Sequence, residues 1–199
     1  MPTLVTPPLE IQPPQVPARK RWTRQECAEL EALGVFKNEK LELVSGELIS
    51  KMGKNRPHVN GFRIMYLWLL EAFGKQFVDA EAPIDVAPQD NPTNEPEPDI
   101  IVLNRDCATF ISANPQPKDL RLVVEIADNS LNYDLTLKSQ LYARAGIIEY
   151  WVVDVAAKQI YCHRQPINGA YSSVSIYNQH ESMSPLSAPN SSFSPAELL

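Results

Sequence analysis

One unbroken stretch, Leu120 to Asp154 (LRLVVEIADNSLNYDLTLKSQLYARAGIIEYWVVD), leaves this chain few ways to fold. The run Leu122, Val123, Val124, Ile126 is short, apolar and β-branched, which predicts a buried strand rather than a helix. The segment from about Asp134 to Ala145 reads as a helix stopped by Gly146, and Glu149 to Val155 carries Tyr150, Trp151, Val152 and Val153 as a second strand. The unit is β-α-β. On its helix Leu137, Leu141 and Ala145 recur four apart and predict an apolar stripe. Asp134, Lys138 and Tyr142 recur in the same way as a polar row on one narrow face. Glu125 interrupts the first strand. A carboxylate there loses solvation and must find a cation, a metal or a strong donor, or take up a proton.

The rest of the chain supplies partners for that unit. Prolines at 2, 7, 8, 13, 14 and 17 leave no helical or strand period in residues 1–21, which read as a disordered arm. Thr23 and Glu26 form a capping box that opens a helix closed by Gly34, with Cys27, Leu30 and Leu33 inward. Lys40 to Met52 alternates as a hairpin turning at Ser45-Gly46, with Glu42 and Glu47 near the turn. Pro57 and His58 start the longest helical pattern, which reaches Phe73 with Val59, Phe62, Met65, Tyr66, Leu69, Leu70 and Phe73 coreward. Phe77 to Val86 reads as a strand, and the proline-rich loop that follows ends at Asp99, just before the continuous apolar strand Ile100 to Leu103. Gln159 to Arg164 and Tyr171 to Tyr177 read as late edge strands around an Asn168-Gly169 turn. Residues 185–199 are Ser/Pro-rich and read as a mobile tail. The reading is therefore one domain, 22–184, between an arm and a tail.

Composition narrows the function. A net charge of −6 argues against a broad basic surface holding nucleic acid, though not against a narrow basic cleft or an acidic metal site. No apolar run is long enough to cross a bilayer, so no membrane partner is expected. Cys27, Cys107 and Cys162 form no pair at ligand spacing and suit a reducing cytoplasm. Asp99 and Glu125 stand on two buried strands, with Lys138 on the next helix. If the strands are neighbours, both acids reach one end of the sheet. Such a trio can hold a divalent ion through oxygen ligands while the ammonium serves a phosphoryl transition state. Plainer readings exist: an Asx turn at Asp99, a structural ion pair at Glu125, and an i,i+4 pairing of Lys138 with Asp134.

The segments LELVSGELI, PEPDIIVL, LVVEIADNS and above all DLTLKSQLYARAGIIEYWVVD, with His58 opening the long helix, resemble the Uma-type family of restriction-endonuclease-like proteins. That family is a branch of the PD-(D/E)XK nuclease superfamily, and the resemblance spans Trp22 to Ser184. It implies an α/β (α+β) fold, a restriction-endonuclease-like mixed β-sheet flanked by helices, with a Mg-dependent (or Mn-dependent) site that cleaves DNA. By the matching motifs Asp99 and Glu125 would be metal ligands and Lys138 the catalytic lysine. Glu42 would complete the site, while His58 and Asp134 match the pattern without an assigned role; Tyr142 is read as a packing residue with its hydroxyl near the site. The superfamily's usual lysine position, two residues after the acid, is here Ala127. The branch supplies its lysine from the following helix instead. A homodimer through strands 159–177 would let two sites address two strands. The alternative is a catalytically silent nuclease-fold protein that binds nucleic acid or a protein partner.

Overall fold

The computed structural model describes residues 18–51 and 55–198. Most of the expected N-terminal arm, and Met52 at the end of the expected hairpin, lie outside them. Helix α1 (Arg24–Ala32) opens on the Thr23/Glu26 capping box, but it buries no residue fully and Leu33 is exposed. The expected inner side is thus only a half-buried contact. Strands β1 (Leu41–Val44) and β2 (Glu47–Ser50) form a separate hairpin. Its turn needs left-handed backbone at both central positions, and Ser45 (φ 52°) and Gly46 (φ 74°) supply it.

The main sheet has six strands in the order β3 (Val78–Ala80), β4 (Ile100–Leu103), β5 (Leu120–Ala127), β6 (Glu149–Asp154), β7 (Gln159–Ile167) and β8 (Ala170–Tyr177). All neighbours are antiparallel except β5 and β6, which the intervening helix leaves parallel. The strand expected over Phe77 to Val86 stops at Ala80, because Glu81 turns to φ 52° and Pro83 follows. Strand β7 is internal, so only β8 fits the edge expected of both late strands.

Period-two alternation sorts β5 between two cores. Leu122, Val124 and Ile126 face helix α2 (Arg56–Phe73) through Met65 and Leu69. Val123 and Ala127 face the opposite side, with Leu141, Tyr142 and Tyr150. Val59, expected to face the core, is exposed. Gly61 lets α2 approach closely: a Cβ there would stand 2.6 Å from Val155 Cγ1 and 3.4 Å from Ile126 Cγ2. That approach brings the start of α2 to the end of β5.

After β5 the chain forms a short α3 (Leu131–Tyr133), a π-helical turn (Asp134–Lys138) and α4 (Ser139–Arg144), end to end. Of the expected apolar stripe, Leu141 is buried and Ala145 packs against the same core, but its first member does not. Leu137 is exposed, whereas Asp134, Lys138 and Tyr142 are buried, so the polar row faces inward.

The segment after residue 184 is not the mobile tail that its composition suggested. Phe193 is wholly buried, bridges Met183 and packs on Trp68 with ring centroids 5.1 Å apart; Leu198 joins the same core. A buried Glu149 ties it down, accepting from Leu186 N (2.8 Å), Arg164 Nη2 (2.6 Å) and Trp151 Nε1 (3.0 Å). Two apolar anchors and one carboxylate in need of donors outweigh the Ser/Pro composition. Among the described residues no helix is long and apolar enough to cross a membrane.

Candidate active site

Strand pairing brings the two acids together. Ile100 pairs with Val124, so one residue further along the ladder Asp99 comes opposite Glu125. Both share the alternation of Ile101 and Val123 and lie toward the face covered by α4. Asp99 Oδ2 accepts from Ile126 N at 2.8 Å, and His58 Nε2 stands 3.5 Å from the same oxygen. His58 is on the first turn of α2, delivered there by the close approach at Gly61.

Lys138 is the hub. Its Nζ lies 2.9 Å from Glu125 Oε1, 3.1 Å from Glu42 Oε1 and 4.0 Å from Asp134 Oδ1, with about a twentieth of its side chain exposed. The Tyr142 hydroxyl donates to the same Glu125 Oε1 at 2.9 Å. Two donors on one oxygen fix the carboxyl. Glu42 Oε2 in turn accepts from Glu97 N at 3.3 Å, and Ser130 Oγ donates to Asp134 at 2.6 Å. All seven residues singled out in the sequence fall in this cluster, and all but Tyr142 line one cavity of about 290 Å³. Lys138 is therefore much more than an i,i+4 partner of Asp134.

Three carboxylates around one ammonium, with Asp99 close by, leave the cluster short of positive charge. Burial pushes Glu125 up to about 8; Lys138 opposes this, and the charges of Asp134, Asp99 and Glu42 reinforce it. Burial likewise raises Asp134 to about 6, against the pull of Lys138 and the Ser130 hydrogen bond. For Lys138 burial acts downward, but Glu125, Glu42 and Asp134 outweigh it and hold the ammonium well above its usual range. The ammonium is fixed, and the remaining deficit must be met by protons or a cation.

Among the described residues no group of three or more His, Cys, Asp or Glu forms a ready metal cage. The donor set suits a different kind of binding. Magnesium is commonly held by one or two carboxylates and completes its octahedron with water and phosphate oxygens. Asp99 and Glu125, facing a cavity with excess negative charge, fit that demand for hard oxygen donors.

Residues not singled out in the sequence, among them Tyr133, Ser130, Asn55, Lys51, Glu97 and Asp128, line the same cavity. The π-turn places Tyr133 beside the site: its i to i+5 geometry brings residue 133 over residue 138, and Lys138 Nζ lies 5.9 Å from the Tyr133 ring centroid. No local sequence signal marks such a turn. The Asx and Ser positions of DNS at 128–130 were the available hint for Ser130.

The six-stranded mixed sheet with its flanking helices is a restriction-endonuclease-like nuclease fold. It is similar to a solved structure from Anabaena variabilis titled "putative nuclease belonging to DUF820", with a TM-score of 0.68 at 14% identity over 88% of this chain and 96% of that one. The chain belongs to the family described as "Uma2: Putative restriction endonuclease", whose sequence model matches residues 25–196. That membership supports a nuclease-like function. No curated protein matches the chain.

Proposed function

We propose that this protein is a metal-dependent endonuclease that hydrolyses phosphodiester bonds in DNA. The observation that carries the reading is the convergence of Asp99, Glu125, Glu42 and Asp134 with Lys138 on one cavity. Asp99 and Glu125 are the residues that would hold Mg (or Mn). When bound, such an ion supplies charge neutralisation and Lewis acidity at the scissile phosphate.

The chain's own groups do the positioning. Lys138 and Tyr142 hold Glu125 through one oxygen, and the Ile126 amide holds Asp99. Glu42 and Asp134 keep Lys138 charged and directed at the cavity, where an ammonium stabilises negative charge developing on phosphorus-bound oxygens. Its position on α4's N-terminal side lets it do from the helix what a lysine two residues after Glu125 would do from the strand.

Cleavage of supercoiled plasmid with magnesium, manganese or chelator tests the reading. Metal-dependent nicking is expected, and Asp99→Asn should abolish it while leaving the circular dichroism spectrum unchanged. Wild-type protein that binds neither ion by calorimetry and leaves plasmid intact would sink the proposal, as would an Asp99→Asn variant of full activity.

A further inference from the structure

Two buried side-chain atoms of cavity-lining residues have no hydrogen-bond partner among the described residues: the Tyr133 hydroxyl and His58 Nδ1. A third such atom, His163 Nδ1, lies elsewhere, in the aromatic cluster of Tyr150 and Tyr171. Unsatisfied buried polar groups are rare because each forfeits its hydration. A phenol could be replaced by Phe at such a place without loss of a contact, so its oxygen calls for another explanation.

We infer that the Tyr133 hydroxyl is a substrate contact, donating a hydrogen bond to a non-bridging oxygen of the phosphodiester backbone. This rests on the nuclease reading above for the identity of the ligand. The cavity wall is strongly anionic, with Glu42, Glu97, Asp99, Glu125, Asp128 and Asp134 on it, so an incoming phosphodiester is repelled unless donors face it. Lys138 is shared among carboxylates and Lys51 is paired with Glu97 at 2.9 Å. A hydroxyl without an internal partner has its donor capacity intact. It carries no charge, and burial raises the pKa of the phenol, so it remains a donor at neutral pH. The π-turn is what sets this ring beside Lys138.

Tyr133→Phe removes only the oxygen. Three readouts belong together: urea unfolding, anisotropy titration of a labelled DNA duplex in chelator, and KM and kcat for plasmid nicking with manganese. The inference expects unchanged or slightly raised stability. Duplex affinity should be about ten- to a hundredfold weaker, as for loss of a hydrogen bond to a charged group. The loss should be equal on duplexes of unrelated sequence, because phosphate contacts carry no base information. Wild-type cleavage with unchanged binding and kinetics in Tyr133→Phe overturns the inference and leaves the nuclease reading standing. Lower stability with unchanged binding also overturns it, by showing the hydroxyl to be structural. Duplex binding without cleavage in the wild type, weakened in the variant, supports the contact while the nuclease reading fails. A wild type that neither binds nor cleaves DNA overturns both.

Discussion

The charge imbalance around Lys138 predicts an unusual pH dependence in the metal-free protein. Glu125 rises from 4.5 when unfolded to about 8 when folded, so between those values the folded state holds a proton that the unfolded state has released. Stability must therefore fall as pH rises through this window. Asp134 adds a smaller fall between its unfolded 3.8 and about 6. One proton of difference is worth about 1.4 kcal/mol per pH unit. Allowing for the approach to half-ionisation at the upper end, Glu125 should cost about 2 kcal/mol between roughly pH 6 and pH 8. For a domain of this size that is a drop of about 4 to 8 °C in melting temperature. Urea unfolding followed by the fluorescence of buried Trp151 would measure it. Magnesium or manganese should flatten the fall, since a cation takes the place of the displaced proton. Glu125→Gln should flatten it without metal. A wild-type profile that is flat or rises across this window would refute the reasoning, and so would the same slope in Glu125→Gln.

Lys138→Met leaves three carboxylates facing one another without their ammonium and should cost about 3 to 5 kcal/mol at neutral pH, less in mild acid where the acids take up protons. Urea unfolding at two pH values checks this, and plasmid nicking by whatever folded protein remains should be lost. Tyr142→Phe removes one of the two donors on Glu125 Oε1; a loss of about 1 to 3 kcal/mol is expected, together with slower nicking from a less constrained carboxylate. Phe193→Ala should cost about 3 to 5 kcal/mol by thermal unfolding, as a fully buried aromatic does, with metal affinity unchanged because Phe193 lies on the opposite face of the sheet.

What was legible in the sequence followed from local residue type and spacing. A short apolar, β-branched run placed Glu125 in a buried strand, the PEP-Asp99 junction began a second one, and four-residue spacing put Asp134, Lys138 and Tyr142 in one row. Which way that row faced was not legible. Leu137 made the opposite face look coreward, but a π-turn shifts the helical register and nothing in DLTLK announces it. By local pattern Glu42 and Glu47 were equivalent hairpin charges, and only the family resemblance favoured Glu42, which is buried against Lys138 while half of the Glu47 side chain is exposed. That choice depends on where the hairpin docks, a long-range fact. The C-terminal segment misled for a related reason, since composition averages over the two or three side chains that anchor it.

The two faces of β5 divide the work of this fold. Leu122, Val124 and Ile126 join α2 and the C-terminal segment in an apolar core, whose buried carboxylate, Glu149, is paired with Arg164. On the other face Glu125, Lys138 and Asp134 lie beneath a polar cavity, where replacement by apolar side chains of similar volume would often stabilise a protein. The strand can carry this unfavourable face because its other face is well packed, and because ladders to β4 and β6 fix its backbone on both sides. Glu125 is consequently held within a rigid strand, and Asp99, just before β4, is tied to it through the Ile126 amide, which keeps the two near one another even while they repel. Their repulsion then becomes a driving force for whichever cation enters, so the imbalance that lowers the stability of the empty protein raises the affinity of the occupied one.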